Sequence, residues 1–536
     1  MRLDQETCYR ALVARDARFD GLFFVGVTTT GIYCRPVCTA RTPGRDRCRF
    51  FPNAALAERE GFRPCLRCRP ELAPGAAPVD AVANMARRAA SRIEAGALNG
   101  GGSLEQLAQE LAISSRQLRR AIQREFGVSP VELAQTNRLL LAKRLLGESN
   151  LPMIDVALAS GFSSVRRFNA LFRHHYGFPP SRIRRSQGAG LPQAVNSNGT
   201  LQTTKSATSV SLRAAPQRTA ESRCRSLGQC IARSPVCETE CADRRDSLRL
   251  TLAYRPPYAW REMLRFLAGR ATLGVERVGD GEYSRTVAID GRCGWLSVGP
   301  IEGRNALAVE LSTSLVGSLP AILVRLRNLF DLSARPDVIE SHLAADAALA
   351  PSIRGAPGLR VPGTFDGFEL AVRAILGQRV SVAAATTLSG RLASVFGEAI
   401  VTPFVDLNRL APAPARLAAA GIGEMTKLGI AAPRASCIRD LARAVAHGEI
   451  SLEAGAEPET VIARLVTLRG IGDWTAHYIA LRALRWPDAF PAGDLGLLRR
   501  AGAKSTAALR RAAEAWRPWR AYAAMHLWND CKPNGP

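Results

Sequence analysis

The sequence lacks any apolar run that approaches the roughly 20 residues needed to cross a bilayer, and its start, MRLDQETCYR, contains no signal-peptide core. We therefore expect no membrane partner and a cytoplasmic location. Lysine is scarce, with only five residues in the chain, and acidic residues are too few to balance arginine. The resulting formal net charge of +25 argues against polycationic partners and favours a polyanion.

An arrangement of cysteines suited to a disulfide framework is also missing. The 13 cysteines are an odd number, and several stand in short pairs typical of metal sites, which fits a reducing cytosol better. The 536 residues exceed what one hydrophobic core supports, and a hydrophobic content of 47% can fill several cores. We predict three to five domains.

Changes of composition along the chain mark the domain boundaries. The first segment is rich in Cys and Arg, whereas the second shows a helical period. A Ser-, Thr-, Gln- and Gly-rich stretch without periodicity follows and reads as a flexible linker. Short β-like runs with Gly turns (TVAIDGRCGWLSVGP) come next, before helical patterns dominate to the end. The predicted boundaries are 1–75, 79–185, 186–246 for the linker, 247–345 for a β-rich subdomain and 346–536 for the last helical domain.

The linker contains four cysteines for which two interpretations stay open. They form a second metal site, or they are incidental cysteines in a disordered segment. Their spacing matches no common zinc knuckle, which favours the second interpretation. These cysteines are Cys224, Cys230, Cys237 and Cys241.

Four other cysteines near the N-terminus have the spacing of a zinc site. Cys34 and Cys38 are separated by three residues, and Cys65 and Cys68 by two. Zn²⁺ prefers four thiolate or imidazole ligands in a tetrahedron, which two short pairs supply. The simplest interpretation is one structural zinc ion that stabilises a domain too small to fold on its core alone.

The residues around these cysteines support a second role for the first of them. The strings TTGIYCRPVC (29–38) and GFRPCLRC (61–68) resemble the N-terminal domain of the Ada adaptive-response proteins over roughly residues 5–72. The resemblance implies that Cys34 accepts a methyl group from a DNA methylphosphotriester, and that Thr30, Arg41 and Arg63 contact DNA. A further family arginine is replaced by Thr39.

Methylation would also change the charge of the site. Four thiolates around Zn²⁺ carry a formal charge of −2, and converting one of them to a thioether leaves −1. Because a −2 centre is repelled by DNA phosphates, the methylated form is expected to bind DNA more tightly. The reaction would therefore be stoichiometric and irreversible, and its output would be DNA affinity.

Two helix-turn-helix units are predicted in the second segment. The first ends in a basic helix behind a Ser114 capping box and stops at Gly127, and the second has its last helix from Val165 to His175. An ordinary helical bundle with solvated arginines is the alternative. The tandem arrangement, ending in YGFPP (176–180), resembles the DNA-binding module of AraC-type activators, which implies promoter operators and RNA polymerase as partners. The arginines expected to read DNA are Arg116, Arg120, Arg166 and Arg167.

The C-terminal half contains a helix-hairpin-helix signature. In LRGIGDW (468–474) the turn glycines, Gly470 and Gly472, let backbone N–H groups approach a DNA phosphate. FPAGD (490–494) follows about twenty residues later. Together with YRPPYAW (254–260), AILGQRVS (374–381) and WRPWRAY (516–522), these motifs resemble 3-methyladenine DNA glycosylase II, the AlkA type, over residues 248–530.

The chemistry of that family assigns roles to individual residues. A carboxylate beneath the sugar stabilises the oxocarbenium-like state as the N-glycosidic bond breaks, and Asp494 is the candidate, although an Asp at this place could also be only a helix N-cap. An aromatic pocket selects cationic alkylated purines. The expected pocket residues are Gln378, Trp474, Tyr478 and Trp528, and Arg379 is expected to fill the gap in the duplex.

Departures from the family pattern affect the expected activity. Trp474 occupies the position of the Schiff-base lysine of bifunctional relatives, so the resemblance implies a monofunctional glycosylase. Gly493 and Leu495 replace an acidic and an aromatic residue beside Asp494, which is expected to alter the substrate range.

The sequence predicts a fusion of an Ada-type sensor and activator with an AlkA-type glycosylase. The fold class is multidomain: a small zinc-binding α/β domain, an all-α double helix-turn-helix, a linker and an α+β helix-hairpin-helix glycosylase. The expected partner is double-stranded DNA, and we expect a nucleoid-associated monomer. Two alternatives remain: a regulator whose glycosylase half has decayed, and a glycosylase whose N-terminal half is only a zinc-dependent DNA tether.

Overall fold

The computed structural model describes residues 4–75, 84–188 and 247–529. The predicted linker beyond Gly188, its four cysteines and Cys531 lie outside these residues. Within the described ranges, none of the helices combines the length and apolar character that crossing a bilayer requires. The architecture is multidomain, with a small N-terminal sheet, a helical module, a second sheet and a large helical domain, which confirms the predicted fold class.

The N-terminal domain is built on a four-stranded sheet of order β3-β1-β2-β4, in which only the β2–β4 pair is parallel. The two helices of this domain agree with its predicted α/β character, although the Cys- and Arg-rich composition shows little helical period. Asp4 and Asn53 cap them through side-chain bonds to backbone N–H groups. The elements are α1 (Gln5–Val13), β1 (Phe24–Val27), β2 (Ile32–Cys34), β3 (Cys48–Phe51), α2 (Ala54–Arg59) and β4 (Arg63–Pro64).

Seven helices form the second module, and the first helix-turn-helix unit has the predicted cap. Ser114 and Gln117 form a capping box, and Ser164 caps the last helix of the second unit. The last helix of each helix-turn-helix unit is the one expected to read DNA, and we call these two the reading helices. They end at Gly127 and Gly177, which both have a positive φ angle. The helices are α3 (Asn84–Glu94), α4 (Leu104–Glu110), α5 (Ser115–Phe126), α6 (Pro130–Glu148), α7 (Met153–Ala159), α8 (Val165–Tyr176) and α9 (Ser181–Gly188).

The third segment carries an antiparallel five-stranded sheet of order β5-β9-β8-β7-β6. A helix also lies in this segment, for which the sequence predicts β runs. It is α10 (Trp260–Ala268), which buries Met263, Leu264 and Leu267 at helical spacing. The strands are β5 (Ser247–Ala253), β6 (Glu276–Gly279), β7 (Glu282–Ile289), β8 (Arg292–Pro300) and β9 (Ala306–Ser312), followed by α11 (Leu319–Leu329) and α12 (Pro336–Leu343).

The remaining helices share one large hydrophobic core. They are α13 (Ala350–Gly355), α14 (Gly367–Leu376), α15 (Val382–Phe396), α16 (Pro414–Ala419), α17 (Ile422–Thr426), α18 (Ala432–Ala446), α19 (Pro458–Thr467), α20 (Asp473–Arg482), α21 (Leu495–Arg500), α22 (Thr506–Ala512) and α23 (Arg520–Asn529). The α14 and α20 helices pack together in this core, and α19 and α20 form a helical hairpin.

Buried polar contacts join the N-terminal domains to the C-terminal half. The fully buried guanidinium of Arg255 donates to the carbonyl oxygens of Asp20 (2.9 Å), Gly75 (2.8 Å) and Ser333 (2.6 Å). Apolar residues of α6, α7 and α8 also share one core with the five-stranded sheet. Because buried cations and carbonyls need partners, these contacts fix the two halves against each other.

Candidate metal centre, nucleic-acid interface and active site

The four N-terminal cysteines converge on one point. Their sulfur atoms all lie within 4.8 Å of one another, and a tetrahedron with Zn–S bonds of about 2.3 Å has S···S edges of about 3.8 Å. Strand β2 ends at Cys34, and its parallel neighbour β4 leads directly into Cys65. The donor set and its spacing fit one Zn²⁺ ion, as predicted.

One of the four sulfurs accepts a hydrogen bond from the backbone. The N–H of Arg35 donates to Cys68 Sγ at 3.3 Å. A hydrogen bond withdraws charge from a thiolate, so this contact lowers the nucleophilicity of Cys68, the most exposed of the four ligands.

Two of the three predicted DNA contacts of this domain lie beside β2, the strand that ends at Cys34. Arg63 on β4 is the register partner of Ile32 on β2, and its N–H donates to the Gly31 carbonyl at 2.8 Å. Thr30, in the turn before β2, and Arg41 are exposed, and Arg63 is partly exposed. The surface beside β2 therefore presents a cation and a hydroxyl to an approaching phosphate.

The four arginines expected to read DNA are all exposed. Arg116 and Arg120 lie one turn apart on α5, and Arg166 and Arg167 start α8. The zinc-site domain holds the end of α5, because Asn53 Nδ2 donates to the Phe126 carbonyl at 3.0 Å. The first reading helix is thus positioned by the domain that carries the four cysteines.

The two glycines of the helical hairpin differ in backbone conformation and in what surrounds them. Gly470 has φ +103°, and a Cβ there would lie 3.2 Å from the Cβ and Sγ of Cys437. Gly472 has φ −94° and precedes α20, and a Cβ there would meet open space. Conformation and packing therefore require glycine at position 470, whereas the protein alone does not require it at position 472.

This difference predicts separable effects of two substitutions. Gly470→Ala should lower the free energy of unfolding by about 1–3 kcal/mol through backbone strain. Gly472→Ala should cost less than about 1 kcal/mol, yet it should weaken binding to duplex DNA, because the methyl group stands where a phosphate would approach the helix N-terminus. Thermal unfolding and binding titrations measure the two effects, and a Gly472→Ala variant with unchanged DNA affinity would contradict this role.

Asp494 lies beside the hairpin, where it accepts three hydrogen bonds. The indole N–H groups of Trp474 and Trp528 each donate to one carboxylate oxygen at 3.1 Å, and the Leu497 N–H donates to Oδ1 at 3.0 Å. The carboxylate is therefore both the N-cap of α21 and a fixed, partly exposed negative charge. The two interpretations of this residue from sequence are compatible with each other.

Three of the four predicted pocket residues form an aromatic wall. Tyr478 stacks on Trp474 with ring centroids 5.3 Å apart, and it lies 6.3 Å from Trp528 in an edge arrangement. Gln378 is turned away, because its Nε2 donates to the Gly470 carbonyl (2.8 Å) and to Thr475 Oγ1 (3.0 Å). Its contacts thus support the hairpin.

Arg379, next to Gln378, is exposed and has a left-handed backbone with φ +54°. This conformation is unusual for a residue with a Cβ and is typical of constrained functional sites. The loop that carries it is anchored from the other side, since the Arg434 guanidinium donates to the Gln378 carbonyl.

Three arginines behind the pocket were not predicted. Arg482 Nη1 donates to Tyr478 Oη at 3.1 Å, and the charges of Arg270 and Arg373 also act on that phenol. They come from α20, from the turn after α10 and from α14. Single arginines in an arginine-rich chain carry no sequence signal, so only the fold brings them together.

Comparison with known proteins assigns each part of the chain to a family. Four family models match: the metal binding domain of Ada (residues 7–71), a helix-turn-helix domain (107–186), the AlkA N-terminal domain (249–366) and the HhH-GPD superfamily base excision DNA repair protein (372–514). These matches define the class: a zinc-binding helix-turn-helix protein joined to a base-excision domain.

Two relatives agree with this class. The probable bifunctional transcriptional activator/DNA repair enzyme AlkA of Mycobacterium tuberculosis is 36% identical over 532 residues, covering 98% of this chain and 97% of its own. DNA-3-methyladenine glycosylase 2 of Escherichia coli is 38% identical over 52% of this chain and 96% of its own. A 3-methyladenine DNA-glycosylase structure from Archaeoglobus fulgidus covers 53% of this chain and 99% of its own, at 21% identity and a TM-score of 0.47. The chain belongs to the family of bifunctional transcriptional activator/DNA repair enzymes of the AlkA type.

Proposed function

We propose that this protein senses and repairs alkylated DNA through two separate sites. Cys34 accepts a methyl group from a DNA methylphosphotriester, the helix-turn-helix module activates transcription, and the C-terminal half removes alkylated purines such as 3-methyladenine. The observation that carries the repair activity is Asp494, a carboxylate held by two indole N–H groups at an aromatic pocket beside the hairpin.

The glycosylase reaction uses the fixed charge of Asp494. As the N-glycosidic bond breaks, its electron pair leaves with the base, and positive charge develops on the sugar. A preorganised carboxylate stabilises that charge without reorganisation, and water then adds to the sugar carbon. Because Trp474 stands where a Schiff-base lysine would be needed, we propose a monofunctional enzyme that leaves an abasic site and does not cut the strand.

The sensor reaction is a methyl transfer to sulfur. A zinc ion held by the four cysteines keeps the thiols deprotonated at neutral pH. The Cys34 sulfur forms a bond to the methyl carbon, the methyl–oxygen bond breaks, and the phosphodiester leaves as an anion. Thr30, Arg41 and Arg63 would position the phosphate. The family resemblance supports Cys34 as the acceptor, and the hydrogen bond from the Arg35 N–H makes Cys68 the weaker nucleophile of the two.

The transcriptional role rests on the exposed arginines of α5 and α8. We propose that Arg116, Arg120, Arg166 and Arg167 contact an operator, that Arg379 fills the gap in damaged duplex, and that the protein works with RNA polymerase as a nucleoid-associated cytoplasmic monomer. The linker predicted from residue 186 would begin after α9, at residue 189, and would connect the helix-turn-helix module to the C-terminal half while their packed faces hold them together.

A regulator with a decayed glycosylase half remains the second candidate, because Gly493 and Leu495 are exposed beside the catalytic carboxylate. The three hydrogen bonds to Asp494 argue for retained activity. The other alternative is a glycosylase whose N-terminal half is only a zinc-dependent DNA tether. The bonds to Asp494 are compatible with that alternative, and a transcription reporter with Cys34→Ala tests it.

Product analysis of the full-length protein tests the proposed repair activity. Duplex DNA containing N3-methyladenine should release the free base, and the strand should stay intact until the abasic site is cleaved by alkali. If no free base is released, the proposed repair activity is wrong and the regulator with a decayed glycosylase half is favoured. Strand cleavage without alkali would overturn the monofunctional assignment.

A further inference from the structure

The two helix-turn-helix units bury their apolar residues in separate cores. The core of the first unit includes residues of α3, α4, α5 and the start of α6, as far as Ala134. The core of the second unit includes the later part of α6, from Leu139 onwards, together with α7 and α8. The angle between the two units therefore depends on α6, which passes from one core to the other, and on contacts made at its middle.

One arginine in the middle of α6 binds the turn that precedes the first unit. Arg138 Nε donates to Asn99 Oδ1 at 2.8 Å, and its Nη2 donates to the Leu98 carbonyl. This turn, LNGGG (98–102), connects α3 to α4. The Asn99 N–H donates to the Gly96 carbonyl at 2.8 Å, and the Asn99 carbonyl accepts from the Gly102 N–H at 2.9 Å. Asn99 is thus held through both its backbone and its side chain.

The same asparagine lies against the turn of the second unit. Gly161, between α7 and α8, has φ +88°. A Cβ at this position would lie 2.2 Å from Cγ, 2.3 Å from Nδ2 and 2.5 Å from Oδ1 of Asn99. The amide of Asn99 therefore packs directly on the α-carbon of Gly161, and only glycine leaves room for it. Asn99, Arg138 and Gly161 join the first unit, the middle of α6 and the second unit, and we call these three residues the Asn99 contact.

The Asn99 contact lies close to the second reading helix. Burial lowers the pKa of the Arg138 guanidinium, and the positive charge of Arg167 lowers it further, because a nearby like charge disfavours the protonated form. Arg167 is exposed in the first turn of α8, where DNA contact is expected. A guanidinium remains protonated at neutral pH, so Arg138 keeps its hydrogen bonds to the turn.

We propose that Asn99 and Arg138 are positioning residues that fix the distance and angle between the two reading helices, so that the protein takes two-segment operators of one allowed spacing. The inference rests on the proposed transcriptional function and names the kind of DNA that this function requires. Reading helices enter the major groove, which returns to the same face of the duplex about every 34 Å. When two binding elements are held at the matching distance, binding of one raises the effective concentration of the other.

A fixed arrangement of the reading helices penalises any change in operator length. One base pair inserted between the two segments moves them about 3.4 Å apart and rotates one relative to the other by about 35°. Fixed helices cannot follow both changes, whereas loosened helices can. Loss of the Asn99 contact should therefore weaken binding to the intact operator and also relax the preference for its spacing.

Binding titrations on undamaged duplexes test the proposal with the full-length protein, after incubation with DNA that contains methylphosphotriesters. The operator is the sequence that the wild type selects from random duplexes, and derived duplexes carry one scrambled segment or one inserted base pair. Asn99→Ala and Arg138→Met should each weaken binding to the intact operator about tenfold or more, but binding to a single segment by less than about twofold. The inserted base pair should cost the wild type about tenfold or more in affinity, and either variant less than about threefold.

Two further variants separate positioning from folding. Asn99→Asp keeps an acceptor of the same shape for Arg138 and should retain the spacing preference of the wild type. Arg92→Met is the matched control for Arg138→Met, because Arg92 Nη2 of α3 donates to Glu110 Oε2 of α4 at 2.7 Å and so makes no bridge to the second unit through this bond. It should also retain the spacing preference, and thermal unfolding checks that every variant is folded.

An equal loss for the intact operator and for single segments would mean that Asn99 and Arg138 only support folding or bind DNA directly, and would overturn the inference. An unchanged spacing preference in both variants would overturn it as well. A wild type that selects only one segment would overturn the inference while the transcriptional role stands. If the wild type selects no sequence, the proposed transcriptional function is wrong and the inference falls with it.

Discussion

Asp494→Asn should reduce the single-turnover release of N3-methyladenine by about 10²–10³-fold or more, because the reaction loses a preorganised negative charge beneath the developing oxocarbenium ion. Binding to duplex DNA should be retained. Asparagine keeps the shape of aspartate and can still cap α21 through its carbonyl oxygen. Excision rates and binding titrations on the same duplex measure the two effects.

The stability of this variant needs its own measurement, because three donors converge on the carboxylate. The amide offers one oxygen, so one indole N–H would lose its acceptor, at a cost of about 1–3 kcal/mol. Asp366→Asn is a matched control, since Asp366 caps α14 through the Glu369 N–H at 3.0 Å and lies outside the proposed catalytic set. Full activity of Asp494→Asn would remove Asp494 from the mechanism.

Cys34→Ser should abolish methyl uptake from DNA that contains methylphosphotriesters. Serine is not ionised at neutral pH, and the sulfur of Cys68, the most exposed of the other three ligands, already accepts a hydrogen bond from the Arg35 N–H. Mass spectrometry of the wild type should find one added methyl group on the peptide that contains Cys34, and no methyl group on the variant protein. A transcription reporter should lose its response to methylating agents in the same variant.

Cys48→Ser provides the control for this substitution. Cys48 is also a buried cysteine of the N-terminal domain, but its sulfur donates to the Gly44 carbonyl at 3.3 Å and it lies outside the four-cysteine cluster. This variant should keep both its zinc content and its methyl uptake. A methyl group found on Cys68, the most exposed of the four ligands, would reassign the acceptor.

The sequence was sufficient where function depends on short motifs. The spacing of Cys34, Cys38, Cys65 and Cys68 predicted the zinc site, because ligand pairs on a turn are local features. The capping box at Ser114 predicted the start of the first reading helix for the same reason. Gly470 of the hairpin is a local feature too, because its φ of +103° favours glycine at that single position.

Features assembled from distant segments could not be predicted. Arg270, Arg373 and Arg482 are separated by about a hundred residues each, and nothing in their neighbouring residues marks them. The resemblance placed Gln378 in the base pocket, but the structure directs its amide to the hairpin. Arg255 stood in a recognised motif, yet its role as a buried bridge to Asp20 and Gly75 depends on how the two halves pack.

The packing of the two halves gives the fusion a physical basis. Lys143 of α6 donates to the Cys65 carbonyl and to Glu71, and Arg144 beside it donates to the Thr251 carbonyl of β5. The helix that follows the first reading helix thus contacts both the four-cysteine site and the sheet of the glycosylase half. Sensor and repair enzyme form one structural unit.

The central claim is that one chain both registers and removes alkylation damage, and a single incubation tests it most directly. The full-length protein is mixed with a duplex that carries a methylphosphotriester and N3-methyladenine, and the protein and the DNA are then analysed by mass spectrometry. We predict one methyl group on Cys34 and a free methylated base, with the strand intact. A protein that acquires no methyl group on Cys34, or a duplex that keeps its N3-methyladenine, would contradict the account.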